Sequence, residues 1–172
     1  DARYVIGLGL QPALSHLLPG VDEQTYPLVS QRYRYHYLMR DHEAPLFDGI
    51  GDLLGELDNA GHLLAVATGK SRVGLERSFE QTGIGKYFHT TRCADESHSK
   101  PNPAMLLEVM DILGVAKENT LMIGDTSHDL LMAKNAVVAA VALSYGAHQV
   151  DELRALSPLA CVDSVTSLRT WL

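Results

Sequence analysis

Apolar residues recur along this chain at two periods, and the switches between them mark out its elements. Ile50, Leu53, Leu54 and Leu57 share one face of a helix that ends at Ala60-Gly61. Leu63 to Ala67 is a short, wholly apolar run, which predicts a strand buried on both faces. A helix to about Thr82, a short strand over His89–Cys93 and a helix over Pro103–Leu113 follow. Leu121 to Ile123 predicts the next buried strand, His128 to Asn135 a helix, and Val137 to Leu143 another apolar strand. Val150–Leu156 and Ser164–Leu172 read as helices on either side of a short strand around Ala160–Val162. From Gly49 onward helix and strand alternate. That order predicts an α/β fold with a Rossmann-like parallel sheet and helices on both faces, over residues 45–172.

The first 44 residues have a different pattern. Pro12 to Leu18 predicts a short helix closed by Pro19-Gly20, and Asp22 is placed to cap a helix from Glu23 to Arg40. Pro27 falls in the first turn of that helix, where the missing N–H costs nothing. Tyr26, Val29, Tyr33 and Tyr37 recur at helical spacing with Arg32, Arg34 and Arg40 between them. Helix–helix packing is the expectation for this stripe; the alternative is that some of its Tyr and Arg residues face an anion. Residues 1–44 therefore read as a small helical layer, joined to the core by a linker over Ala44–Gly49.

Composition narrows the class. Apolar residues make up 46% of the chain and charged residues 20%, as in ordinary globular proteins. The formal net charge of -7, without a Lys/Arg cluster, argues against a nucleic-acid partner. No apolar run is long enough to predict a membrane span, and there is no signal-peptide pattern. Cys93 and Cys161 lack metal-ligand or redox spacing and read as reduced thiols of a cytoplasmic protein. The sequence leaves the oligomeric state open.

Ligands of parallel sheets gather at the C-terminal ends of the strands. There the chain places Thr68, Gly69 and Lys70 after one apolar run and Asp125 after another, with Asp129 one turn into the next helix. Lys100 sits just before a helix that opens at a proline. A threonine hydroxyl and nearby amides can hold phosphoryl oxygens at a helix start. A lysine can neutralise charge during phosphoryl transfer, and carboxylates suit Mg²⁺. Taken singly, each has a plainer reading as a turn, a cap or an exposed lysine. His128, between the two aspartates, is expected to point to solvent, and His98 and His148 to lie on the surface.

Ala67-Thr68-Gly69-Lys70, Ser99-Lys100-Pro101-Asn102-Pro103 and Ile123-Gly124-Asp125-Thr126-Ser127-His128-Asp129 resemble the second, third and fourth motifs of the haloacid dehalogenase superfamily. Within it the chain is most similar to phosphoglycolate phosphatase-like hydrolases. The resemblance covers nearly the whole chain. Ile6-Gly7-Leu8-Gly9-Leu10 and the helices after it resemble that group's helical cap, and Ser144-Tyr145-Gly146-Ala147-His148 its loop after the next strand. It implies a Mg²⁺-dependent phosphatase acting on a small phosphorylated metabolite through an aspartyl-phosphate. Thr68, Gly69, Lys70 and Lys100 would bind phosphate, with Thr68 and Lys100 catalytic. Asp125 would ligate the metal. Asp129 would hold a metal-bound water or orient Lys100.

The chain departs from the family in two places. Val137 stands where the family usually has glycine, which is expected to shift that turn. The first motif, with its nucleophilic aspartate, is absent. Phe47-Asp48-Gly49-Ile50-Gly51-Asp52 is its nearest imitation but reads as linker. Without the strand that bears this motif the sheet would keep two unpaired edges, so the expectation is that the protein extends upstream of Asp1. Two rival functions follow: a dehalogenase or phosphomutase on the same fold, and a catalytically inactive phosphate- or partner-binding module.

Overall fold

A computed structural model describes residues 2–40 and 45–172, with the side chains of Glu23, Tyr37, Leu38 and Arg40 left out. Two helices come first, α1 (Leu10–Leu17) and α2 (Tyr26–Arg40). Asp22 accepts the Gln24 amide at 3.0 Å and so caps the 3-10 turn that leads into α2. The remainder alternates: α3 (Ile50–Asn59), β1 (Ala65–Thr68), α4 (Arg72–Thr82), β2 (Thr90–Cys93), α5 (Ala104–Leu113), β3 (Leu121–Gly124), α6 (Ser127–Asn135), β4 (Ala139–Leu143), α7 (Val150–Ala155), β5 (Ala160–Val162) and α8 (Val165–Trp171). The α/β reading thus holds in element order and type. The proposed boundary at Ala44 lies outside the described residues.

All strand pairs are parallel, but among the described residues they form two pieces, β1–β2 and β3–β4–β5. Pleating sorts the side chains by face. Leu121, Ile123, Val141 and Leu143 meet Leu53 of α3 and Leu168 of α8 on one face. Met122 and Ala140 meet Met105 and Leu106 of α5 and Met132 of α6 on the other. Ala142 packs with Leu130 of α6 and Leu153 of α7.

Three expectations need correction. β1 and most of β3 are only half-buried, not enclosed on both faces. Their facing edges border an open cavity, which also takes in Leu54, Leu57, Val109 and Met110. The tyrosine stripe of α2 is not a packing face either. Tyr26 is buried and Val29 half-buried, but Tyr33 is 52% exposed. Burial stays in the first turns of the helix, and residues 31–36 are all exposed. The Tyr37 side chain lies outside the described residues.

The third correction is at Val137, which ends α6 rather than opening β4. Its φ is +58°, in the left-handed region. The Val137 amide donates to Lys134 O at 3.1 Å and the Val138 amide to Ala133 O at 2.9 Å. Those two bonds make a Schellman motif, with Val138 packed in the same cluster as Ala133. Valine is thus held in a conformation that glycine adopts freely, at a cost of about 1–2 kcal/mol.

Candidate active site

The C-terminal ends of β1 and β3 bring the expected residues together. Thr68, Gly69, Lys70, Lys100, Asp125 and Asp129 all line one cavity of about 1340 Å³. The same cavity continues as the slot between β1 and β3.

On the β1 side, Thr68 Oγ1 accepts the Lys70 amide at 3.1 Å, which curls the chain into a tight turn. Ser71 then caps α4, its hydroxyl accepting the Gly74 amide at 3.3 Å. The turn therefore leads straight into a helix N-terminus, a place that favours anions. The Lys70 ammonium donates to Ser78 Oγ at 2.8 Å, which draws it along α4.

On the β3 side, Thr126 and Asp129 form a reciprocal capping box. Asp129 Oδ2 accepts from the Thr126 amide at 3.1 Å and from Thr126 Oγ1 at 2.7 Å. Its other oxygen, Oδ1, accepts from Lys100 Nζ at 2.6 Å. Lys100 is only 7% exposed and Asp129 4%. Lys100 is thus a buried, paired cation and not a surface lysine. A pair this enclosed depends on both partners, because removal of either strands a buried charge. Gly124 and Gly146 are close-approach positions. A Cβ on Gly124 would run into the Asp129 side chain, and one on Gly146 into that of Asp125.

Asp125 Oδ2 accepts the Ala147 amide at 2.8 Å, and Asp125 O accepts the His148 amide at 3.1 Å. Oδ1 has no protein donor among the described residues. That oxygen is the kind of hard donor that suits Mg²⁺. Both Asp129 oxygens are already engaged. Among the described residues no group of three or more His, Cys, Asp or Glu could hold a metal ion. The Asp125 carboxylate thus suits Mg²⁺ in kind.

His128 and His148 depart from expectation. Both are buried, at 2% and 4% exposure, because residues 2–9 cross over them. His128 Nε2 donates to Tyr4 O at 2.6 Å. His148 Nδ1 accepts the Ser127 amide at 3.0 Å, which leaves Nε2 to donate to Arg3 O at 3.1 Å. The Tyr4 ring lies edge-on to His128, with ring centroids 4.9 Å apart. Burial pushes the His128 pKa below the usual histidine range. The same segment reaches the Lys100 loop, where the Gly9 amide donates to Ser99 Oγ at 2.8 Å. A histidine one turn into a helix carries no local signal of such cover, because the cover comes from more than a hundred residues away. His98 is exposed, as expected.

Comparison with known proteins agrees with this geometry. Residues 1–143 match the family described as haloacid dehalogenase-like hydrolase. The chain is 37% identical to the Probable phosphatase IndB of Dickeya dadantii, over 96% of this chain and 74% of that protein. It is 32% identical to a Probable phosphoglycolate phosphatase of Pseudomonas putida, over 96% of this chain and 73% of that one. The fold matches the crystal structure of a hydrolase from Pseudomonas syringae with a TM-score of 0.88, at 20% identity, over 98% of this chain and 79% of that one.

Proposed function

This chain belongs to the haloacid dehalogenase-like hydrolases, and on that premise we propose that it is a Mg²⁺-dependent phosphatase of small phosphate monoesters. The observation that carries the proposal is the buried Lys100–Asp129 pair facing Thr68 and Asp125 in one cavity. Related proteins named as phosphatases support it.

The Thr68 hydroxyl and the amides at the start of α4 bind the phosphoryl oxygens. Lys100, held by Asp129, sets its positive charge against the phosphoryl group and steadies the charge that builds in the transition state. Asp125 serves as a ligand of Mg²⁺, which when bound would supply further charge neutralisation. Beside Thr68 and Asp125, where the slot between β1 and β3 ends, the reaction needs a nucleophilic carboxylate. Its attack on phosphorus releases the alcohol, and water then hydrolyses the acyl phosphate. Tyr33 and Arg34 of α2 border the cavity, where the alcohol portion of the substrate would lie.

The test is turnover of p-nitrophenyl phosphate by the full-length protein. Hydrolysis with Mg²⁺ that stops on addition of EDTA is expected. Hydrolysis that persists in EDTA removes the metal from the reading. No turnover with Mg²⁺ leaves a binding module in place of an enzyme.

A further inference from the structure

β1 and β2 are parallel neighbours with Thr68 in register with Cys93, so the loops that follow them leave the same end of the sheet side by side. The first carries Thr68 and Gly69 into α4. The second, after Cys93, carries Glu96 and, four residues on, Lys100. Catalysis of the proposed kind needs these two loops at a fixed separation, because the Lys100 ammonium must meet a phosphoryl group that the Thr68 loop holds.

Among the described residues one side-chain pair, together with two contacts to backbone, joins the loops. Arg72, the first residue of α4, lays its guanidinium flat against the Glu96 carboxylate. Nε donates to Oε1 and Nη2 to Oε2, each at 2.7 Å. Arg72 Nη1 is fixed in turn by Thr91 Oγ1 of β2 at 2.7 Å. Glu96 Oε2 also accepts the Cys93 amide at 3.1 Å. The Arg72 amide donates to Asp95 Oδ1 at 2.9 Å, and the Ala94 amide to Lys70 O at 3.0 Å. Ser97, the next residue, donates to Glu108 Oε1 at 2.7 Å, and Glu108 Oε2 accepts from Arg92 Nε at 2.7 Å. The loop that ends at Lys100 is thus tied to α4 through Glu96 and to α5 through Glu108. The Glu96 tie to α4 stands beside the Asp95 and Ala94 contacts, and of the three it alone joins two side chains.

We propose that Glu96 is a positioning residue which, through its two-point contact with Arg72, fixes the orientation of the Lys100 loop against the phosphate-holding Thr68 loop, alongside the Asp95 and Ala94 contacts. This rests on the phosphatase reading. The pair is about one-third exposed, with side-chain exposures of 31% and 34%, so it adds little to stability. Its two parallel hydrogen bonds nonetheless fix an orientation that a single contact would not. Reacting groups tolerate only small misplacement, on the order of an ångström for a hundredfold in rate.

The test uses the full-length protein with p-nitrophenyl phosphate as substrate. Glu96→Gln loses one acceptor, and Arg72→Lys loses the fork. Each variant should lower kcat about tenfold, part of that hundredfold range, with little change in KM and a melting temperature close to wild type. The double variant should be no worse than either single one, because both break the same contact. Wild-type kcat in both single variants overturns the proposal. So does a fall in kcat that tracks the fall in melting temperature, which marks a merely structural pair. Lys100→Ala, measured alongside, separates the two readings. If Lys100→Ala abolishes turnover while Glu96→Gln is unaffected, only the positioning role fails. If Lys100→Ala turns over normally, the phosphatase reading fails and takes the link with it.

Discussion

The two pieces of the sheet are held together by different physics. In β3–β4–β5, side chains fill the space: Met132, Val141, Ala142 and Leu153 have no exposed surface. In β1–β2 every residue of β1 is half-buried; Ala67 packs against the cluster of Met105 and Leu106, and charged pairs add further fastening, Arg72 to Glu96 and Arg92 to Glu108. Apolar filling has no preferred direction and supplies most of the stability. Charged hydrogen bonds supply little stability at a surface but fix orientation closely. The β3 piece therefore presents Asp125 and Asp129 from a packed base, and the β1 piece presents Thr68 from an oriented frame. Lys100 crosses between them, as its loop hangs from β2 and its ammonium ends on Asp129 of α6.

That contrast can be broken at four points. The largest effect is expected at the crossing. Lys100→Ala should lower kcat about a hundredfold or more and destabilise the fold by about 3–5 kcal/mol, because Asp129 is left buried without its cation. Turnover and urea unfolding of the full-length protein check both. Next is the packed piece: Leu153→Ala should cost about 2–5 kcal/mol, while KM stays unchanged in the fraction that remains folded. A loss below about 1 kcal/mol would place stability elsewhere. Third, Val137→Gly relieves the left-handed valine and should raise stability by about 1 kcal/mol with no change in turnover. Thermal melting measures it, and a lower melting temperature would rule out the strain. The smallest effect belongs to the oriented piece. The Arg72 guanidinium holds the Glu96 carboxyl at about 2, against an ordinary value of 4.5. A depressed carboxyl stabilises the fold above the unfolded value and loses that contribution as pH falls. The stability gap between wild type and Glu96→Gln should therefore close between pH 4.5 and about 2. It should stay below about 1 kcal/mol throughout, as expected for an exposed pair. A gap that widens on acidification has the wrong sign.

The alternation from Gly49 onward was legible because buried strands leave short apolar runs and amphipathic helices leave spaced ones, and each described strand except β2 (Thr-Thr-Arg-Cys) lies at or within a residue of such a run. The site was legible for a related reason. Thr68, Lys100, Asp125 and Asp129 each stand at a strand end or a helix start, places that local sequence marks with glycine and proline. What escaped has its cause far along the chain. His128 and His148 are covered by carbonyls from residues 3 and 4, and backbone carbonyls leave no mark on sequence. Glu96 and Arg72 are 24 residues apart, and neither looks different from any charged loop residue. Tyr33 has the spacing of a packing residue but is 52% exposed. Val137 was noticed as the wrong residue for its turn. What the sequence did not show is that valine there takes a left-handed conformation within a Schellman motif. Cys93 and Cys161 are free thiols, as read. Burial pushes the Cys93 thiol up to about 11, which makes it a poor nucleophile.

The slot between β1 and β3 has a consequence beyond catalysis. Each of its walls is a strand edge, with amide and carbonyl groups directed sideways and no partner strand among the described residues. Such edges act as templates for any extended peptide, including another copy of the same chain. Where such an edge is uncovered, association is directional, recruiting strands rather than clumping at random. The molecule's solubility then becomes a report on slot occupancy. Light scattering that rises steeply with concentration is the signature of such edge-to-edge contact.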